Sequence, residues 1–109
     1  MSRSRVLHFA VTASALLVLV PIARADPNLM ELGEHLAQEC TSCHRKDGTE
    51  KGIPPIVGWA VPEFVTTMRF YKTGERTNPA MVSVAKSLDD DQLTALAVYW
   101  GSLKRPGRK

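Results

Sequence analysis

Cys40-Thr41-Ser42-Cys43-His44 is the stretch on which every other reading of the chain depends. Two residues separate the thiols, and an imidazole follows directly. That spacing sets both sulfurs along one edge of a flat macrocycle, where they can add across the two vinyl groups of a haem. It also brings His44 under the iron as proximal ligand, so the pattern reads as a c-type haem attachment site. Cys40 and Cys43 are the only cysteines present. A zinc site draws on about four Cys or His ligands, and beyond residue 25 only His35 and His44 accompany the pair. A thioredoxin-like dithiol is the stronger rival, but it expects a βαβ setting, and no convincing strand pattern is present. A structural disulfide across so short a loop is the weakest reading.

The N-terminus places this chemistry outside the cytoplasm. Arg3 and Arg5 precede a mostly apolar run over 6–20, followed by Pro21 and then Ala23-Arg24-Ala25. This is the charge, length and cleavage pattern of a secretory signal peptide. Its apolar run falls short of the roughly 20 residues of a spanning helix, although an uncleaved anchor remains the alternative. The expected organisation is a signal peptide over 1–25 and one domain over 26–109. Taking 25 residues from 109 leaves 84, and Lys plus Arg falls from 14 to 11 against 11 acidic residues. The domain is therefore formally neutral, and its composition gives no support to nucleic-acid binding. A domain of this size rarely buries enough apolar area without a staple. A covalently held macrocycle would supply one.

Helical signals fill most of the remainder. Asn28 with Glu31 reads as a capping box for a first helix, with Leu29, Leu32, Leu36, Ala37 and Cys40 as its apolar face. Gly33 on that face suits a close helix crossing. Residues 45–57, with Gly48, Gly52 and Pro54-Pro55, read as a loop. A second helix is expected over Pro62 to Thr73, stopped by Gly74, with Phe64, Val65, Met68 and Tyr71 inward. A short segment over 80–87 precedes a last helix, in which Asp89 caps and Gln92 closes a second capping box. Leu93, Leu96, Ala97, Tyr99, Trp100 and Leu103 carry its apolar pattern. Gly101 permits a close approach or early fraying, and the basic tail Lys104 to Lys109 reads as solvated.

With the pentapeptide ending a first helix and an aromatic amphipathic helix at the C-terminus, residues 28–103 resemble a class I cytochrome c. The resemblance implies an all-α fold of about four helices wrapped around one covalently bound haem c. It implies that the first and last helices cross through Gly33 and Leu36 against Tyr99 or Trp100. Here the first helix lacks the aromatic usual in the family. Pro54-Pro55-Ile56-Val57-Gly58 is similar to the P-x-L-x-G segment, which makes Pro54 the carbonyl that accepts from the proximal histidine. Asn78 to Lys86 resembles the segment that carries the methionine ligand, which points to Met81, with Met68 assigned to the core. A His44/Met81 pair saturates the iron and raises its potential, leaving electron transfer as the chemistry.

Arg69 to Gly74 and Ala85 to Asp90 fit, loosely, motifs of the cytochrome subunits of sulfide-oxidising flavocytochromes. Trp59 is a candidate donor to a haem propionate or a half-buried packing residue. Lys46, Lys51 and Lys86 could rim the haem edge or simply face solvent. His35 falls on the polar side of the first helix. The function implied is that of a periplasmic monohaem electron carrier between redox proteins, not itself an enzyme. One alternative is a permanent haem subunit of a dehydrogenase, such as a flavoprotein oxidising sulfide. Others are a haem enzyme or sensor with an open iron, or a haem-free thiol oxidoreductase.

Overall fold

The computed structural model describes residues 26–105. The signal-peptide reading and residues 106–109 of the basic tail lie outside them. Four helices and no strands occur among the described residues: α1 (Pro27–Cys40), α2 (Val61–Thr73), α3 (Pro79–Lys86) and α4 (Asp90–Ser102). The all-α expectation holds, and with no sheet the βαβ setting of a thioredoxin-like dithiol is absent from this region. None of the described helices is long and apolar enough to cross a membrane.

α1 starts earlier than the sequence suggests. Asp26, not Asn28, is the N-cap: its carboxylate accepts the Asn28 N–H at 2.9 Å. Pro27 occupies the first turn, where its missing N–H costs nothing, so the helix begins two residues before the expected Asn28–Glu31 box. The face that α1 buries is also narrower than expected. Gly33 and Ala37 are buried, Leu36 and Cys40 are half-buried, and Leu32 is 37% exposed. The reason is the proximity of α4, with which α1 forms the most extensive helix pairing of the fold. A Cβ on Gly33 would lie 2.1 Å from the Ala95 carbonyl oxygen and 2.8 Å from the Tyr99 Cβ. The expected crossing of Gly33 against Tyr99 is therefore present, and Ala95 joins it.

α2 also starts one residue early, at Val61, behind Ala60, which gives no side-chain cap. Its C-terminus follows expectation: Gly74 adopts φ 84°, the left-handed conformation that closes a helix and that residues with a Cβ avoid. Phe64 and Met68, one turn apart, enter the core. α3 is capped by Asn78, whose side chain accepts the Met81 N–H at 3.2 Å. The Lys72 ammonium donates to the Leu88 carbonyl, tying the end of α2 to the link between α3 and α4.

The α4 capping box forms as read from the sequence. The Asp89 carboxylate accepts from Gln92 N at 2.8 Å, and the Gln92 side chain accepts from Asp89 N at 3.0 Å. Leu93, Ala95, Leu96, Ala97, Tyr99 and Trp100 are buried, which makes α4 the centre of the core. The 57–60 loop is clasped to its end: Gly58 N–H donates to the Trp100 carbonyl at 2.9 Å, and Gly101 leaves room for the Trp59 carbonyl.

After the motif, Asp47 organises a compact turn. Its carboxylate accepts from the Thr49 N–H at 2.9 Å and from the Thr49 hydroxyl at 2.8 Å, and it pairs with Arg45 at 3.4 Å. These donors, the Thr49 amide foremost, hold the Asp47 carboxyl down at about 2.

Two outcomes follow from these contacts. Gly33→Ala should destabilise the chain by about 1–3 kcal/mol, the range for overpacking a tight contact, read as a lowered denaturant midpoint. An unchanged midpoint would mean that α1 and α4 do not meet at Gly33. The Asp47 carboxyl is depressed in the fold, so its contribution is intact above the ordinary carboxylate range and fades as pH falls from about 4 through about 2. Intrinsic-rate-corrected exchange protection at the Thr49 amide should drop across that window. In Asp47→Asn it should already be weak at neutral pH.

Candidate functional site

The pentapeptide begins where α1 ends. Thr41 N–H donates to Ala37 O at 3.2 Å, Cys43 N–H to Cys40 O at 3.1 Å, and His44 N–H to Cys40 O at 2.8 Å. These bonds wind the chain into a tight turn after the last helical residue. Both sulfurs and the imidazole are thus presented from one short, backbone-fixed segment. Cys40 is half-buried and Cys43 exposed, and both are free thiols. Burial pushes the Cys40 thiol above its ordinary value, and the neighbouring Trp100 side chain acts the other way.

His44 is the buried polar residue of the described core, at 9% exposure. Its Nδ1 lies 2.9 Å from the Pro54 carbonyl oxygen. A carbonyl can only accept, so Nδ1 is the donor, and in the neutral ring Nε2 carries the lone pair. The ring is thereby locked in one tautomer and one orientation, with a neutral nitrogen available to a metal. The loop brings Pro54 to His44 through Val57, which is wholly buried, and Ile56, which packs against the core.

The other named residues take distinct places. Met81 lies in the first turn of α3, half-buried, with its N–H held by Asn78. Met68 is 5% exposed within the core. Trp59 is half-buried and packs edge-on against Phe64, with ring centroids 6.5 Å apart. Lys46, Lys51, Lys86 and His35 are exposed. Lys46 is more than a solvated charge, because its ammonium sits 5.3 Å from the centre of the Tyr99 ring. The Tyr99 interaction is also the main reason its pKa is raised, so it stays a fixed cation beside the motif.

Several contacts were not foreseen: the Asp47 turn, the Lys72 tie, the Lys46–Tyr99 stack and the Trp100–Cys40 approach. Only the first had a local signal, an aspartate two residues before a threonine.

The donor chemistry fits a haem. Two free thiols, an imidazole with a bare Nε2 and a thioether are what attachment and axial ligation require. Half-buried Leu36, Ile56, Val65, Met81 and Val84 supply apolar side chains packed on the core yet not closed over.

No family model matches the chain. Individual relatives do. The cytochrome subunit of sulfide dehydrogenase from Chlorobaculum tepidum is 31% identical over 74 residues, 67% of this chain and 67% of that protein. The thiosulfate dehydrogenase electron acceptor of Thiomonas intermedia is 33% identical over 75 residues, 66% of this chain but only 35% of the relative. Among solved structures, reduced recombinant cytochrome c4 from Pseudomonas stutzeri superimposes with a TM-score of 0.65 at 28% identity. That match covers 73% of this chain and 50% of the other. The motif, the histidine held by its proline carbonyl, the helix crossing at Gly33 and these relatives agree: the chain belongs to the class I c-type cytochromes, electron-transfer proteins that carry haem c.

Proposed function

We propose that the chain is a periplasmic electron carrier in which Cys40 and Cys43 hold one haem c and His44 and Met81 are its axial ligands. The observation that carries this reading is the 2.9 Å approach of His44 Nδ1 to the Pro54 carbonyl, which leaves Nε2 as a metal-binding nitrogen. When bound, the haem supplies a reversible one-electron couple.

The protein's own groups do the rest. The Cys40 and Cys43 sulfurs fix the macrocycle to the end of α1, so the cofactor cannot be lost to solvent. The Pro54 carbonyl raises the basicity of the His44 ring and holds its plane. Met81 approaches from α3, whose start is fixed by Asn78 and whose far end is tied to α2 through Lys72 and Leu88. A thioether carries no charge and no proton, so the couple needs no protonation step at its ligands. With His44 and Met81 both holding the iron, no position would be open for a substrate, which favours transfer over catalysis. Trp59 is assigned as the indole donor to a propionate. Lys46, Lys51 and Lys86 are assigned to the rim that meets an acidic face of the donor or acceptor. The Ala-Arg-Ala sequence at 23–25 supports export and signal cleavage there.

One observation favours a second reading, a permanent haem subunit of a dehydrogenase such as a sulfide-oxidising flavoprotein. The Chlorobaculum relative is named the cytochrome subunit of sulfide dehydrogenase, and the match covers 67% of each chain. Purification at native abundance separates the two: a free carrier elutes alone, and a subunit elutes with a flavin-containing chain.

Met81→Ala tests the ligand assignment in protein matured with covalent haem. The weak red absorption of methionine-bound ferric iron should vanish, and the reduced variant should bind carbon monoxide. Its potential should fall by on the order of 0.1–0.2 V, a fraction of the roughly 0.8 V that axial ligands control. A variant with wild-type spectrum and potential would remove Met81 from the iron and return the open-site enzyme or sensor to consideration.

A further inference from the structure

Trp100 is the largest wholly buried side chain, and its indole N–H has no hydrogen-bond partner among the described residues. Buried donors are nearly always satisfied, so an orphan calls for an explanation. The surroundings supply one candidate acceptor. Half-buried Cys40 packs against the core cluster that contains Trp100, and the Trp100 side chain offsets part of the rise that burial causes in the Cys40 thiol.

The indole itself is not free to turn away. Trp100 is 0% exposed, and its ring meets Tyr99 edge-on at 5.9 Å. Its backbone carbonyl is held by Gly58 N–H, and the next residue, Gly101, lies against the Trp59 carbonyl. Tyr99 is in turn fixed by the approach of α1 at Gly33. The donor is therefore held in place before any cofactor arrives.

We propose that Trp100 is a positioning residue for the cofactor, its indole N–H donating to the Cys40 thioether sulfur in the haem-loaded protein. This rests on the reading of Cys40 as a haem attachment point. A thioether sulfur has two lone pairs and no proton, so it can only accept. The propionates, the other acceptors of a haem, leave the macrocycle on the edge opposite the thioether links, out of reach of a group beside Cys40. The bond fixes the rotation of the Cys40 link and so the in-plane setting of the macrocycle. A donor dipole directed at a ring substituent also withdraws electron density. It stabilises the reduced form over the oxidised one, so Trp100 sets the potential upward.

The test uses haem-loaded protein. Covalent attachment is first confirmed by the pyridine haemochrome spectrum; failure of the wild type there refutes the haem reading itself and is distinct from failure of this proposal. Trp100→Phe, and Trp100 replaced by its benzothienyl isostere (sulfur in place of N–H at nearly unchanged shape), are then titrated spectroelectrochemically. The expected result is a lower midpoint potential for both, with the low-spin spectrum retained. If Trp100→Phe proves too cavity-prone to load haem, the isostere decides. An isostere at the wild-type potential overturns the proposal and leaves Trp100 a packing residue. Independently of any variant, NMR of the reduced wild type should show a nuclear Overhauser contact between the Trp100 indole N–H and the bridging protons of the Cys40 link. Its absence also overturns the proposal.

Discussion

The contact at Gly33 sets the distances on which the rest of the molecule depends. Where α1 meets α4, no side chain stands between Gly33 and the backbone at Ala95, so the two helices approach more closely than a residue with a Cβ would allow. Widening that gap by one methyl group would move the Cys40 end of α1 away from Trp100. It would also carry the pentapeptide with it, because hydrogen bonds to Ala37 and Cys40 fix the motif to the helix. α4 holds the other half of the arrangement, since the loop bearing Pro54 is clasped to its end through Gly58 and Trp100. The same helix pair thus positions both the sulfurs and the carbonyl that orients His44. Dispersion and exclusion of water are strongest where packing is this dense.

Charge plays a smaller and more local part. Arg45–Asp47 and Arg69–Asp90 are exposed pairs at 3.4 and 3.3 Å. Pairs of that kind contribute about 0–1 kcal/mol and weaken with salt. Lys46 differs because an aromatic face fixes it beside the motif. A cation held in one place is a better guide to an approaching partner than one that sweeps through solvent, and its influence is largest at low ionic strength.

What the sequence disclosed follows the range of the interactions concerned. The Asp89–Gln92 box and the Gly74 stop are decided within four residues, and both were legible. So were the haem motif and the helical content, because each is written in spacing. Asp26 was missed in favour of Asn28 because a plausible Asn-to-Glu box concealed the simpler signal of Pro27 at the first helical position. Leu32 was read into the buried face because periodicity marks a stripe without its width. Gly33 narrows the contact until a residue at the stripe's edge is left outside. Pro54 was legible only through resemblance to a known family, since it lies ten positions beyond His44 across a loop and no local rule joins them. Lys72 to Leu88, Lys46 over Tyr99 and the aim of the Trp100 indole depend on tertiary placement, and nothing in the chain's spacing announces them.

The pairing of α1 with α4 also governs the order in which the molecule can assemble. The partner of the helix that ends at the haem motif is the last helix described, so the principal interface closes a loop of some fifty residues. Loop closure costs entropy before any contact repays it, and topologies that rely on such distant pairings fold more slowly than local ones. A chain emerging N-terminus first presents Cys40, Cys43 and His44 well before α4 is there to pack against α1. Cys40 is consequently more open to maturation chemistry during an interval that the topology itself creates, and the docking of α4 then half-buries it while Cys43 stays exposed.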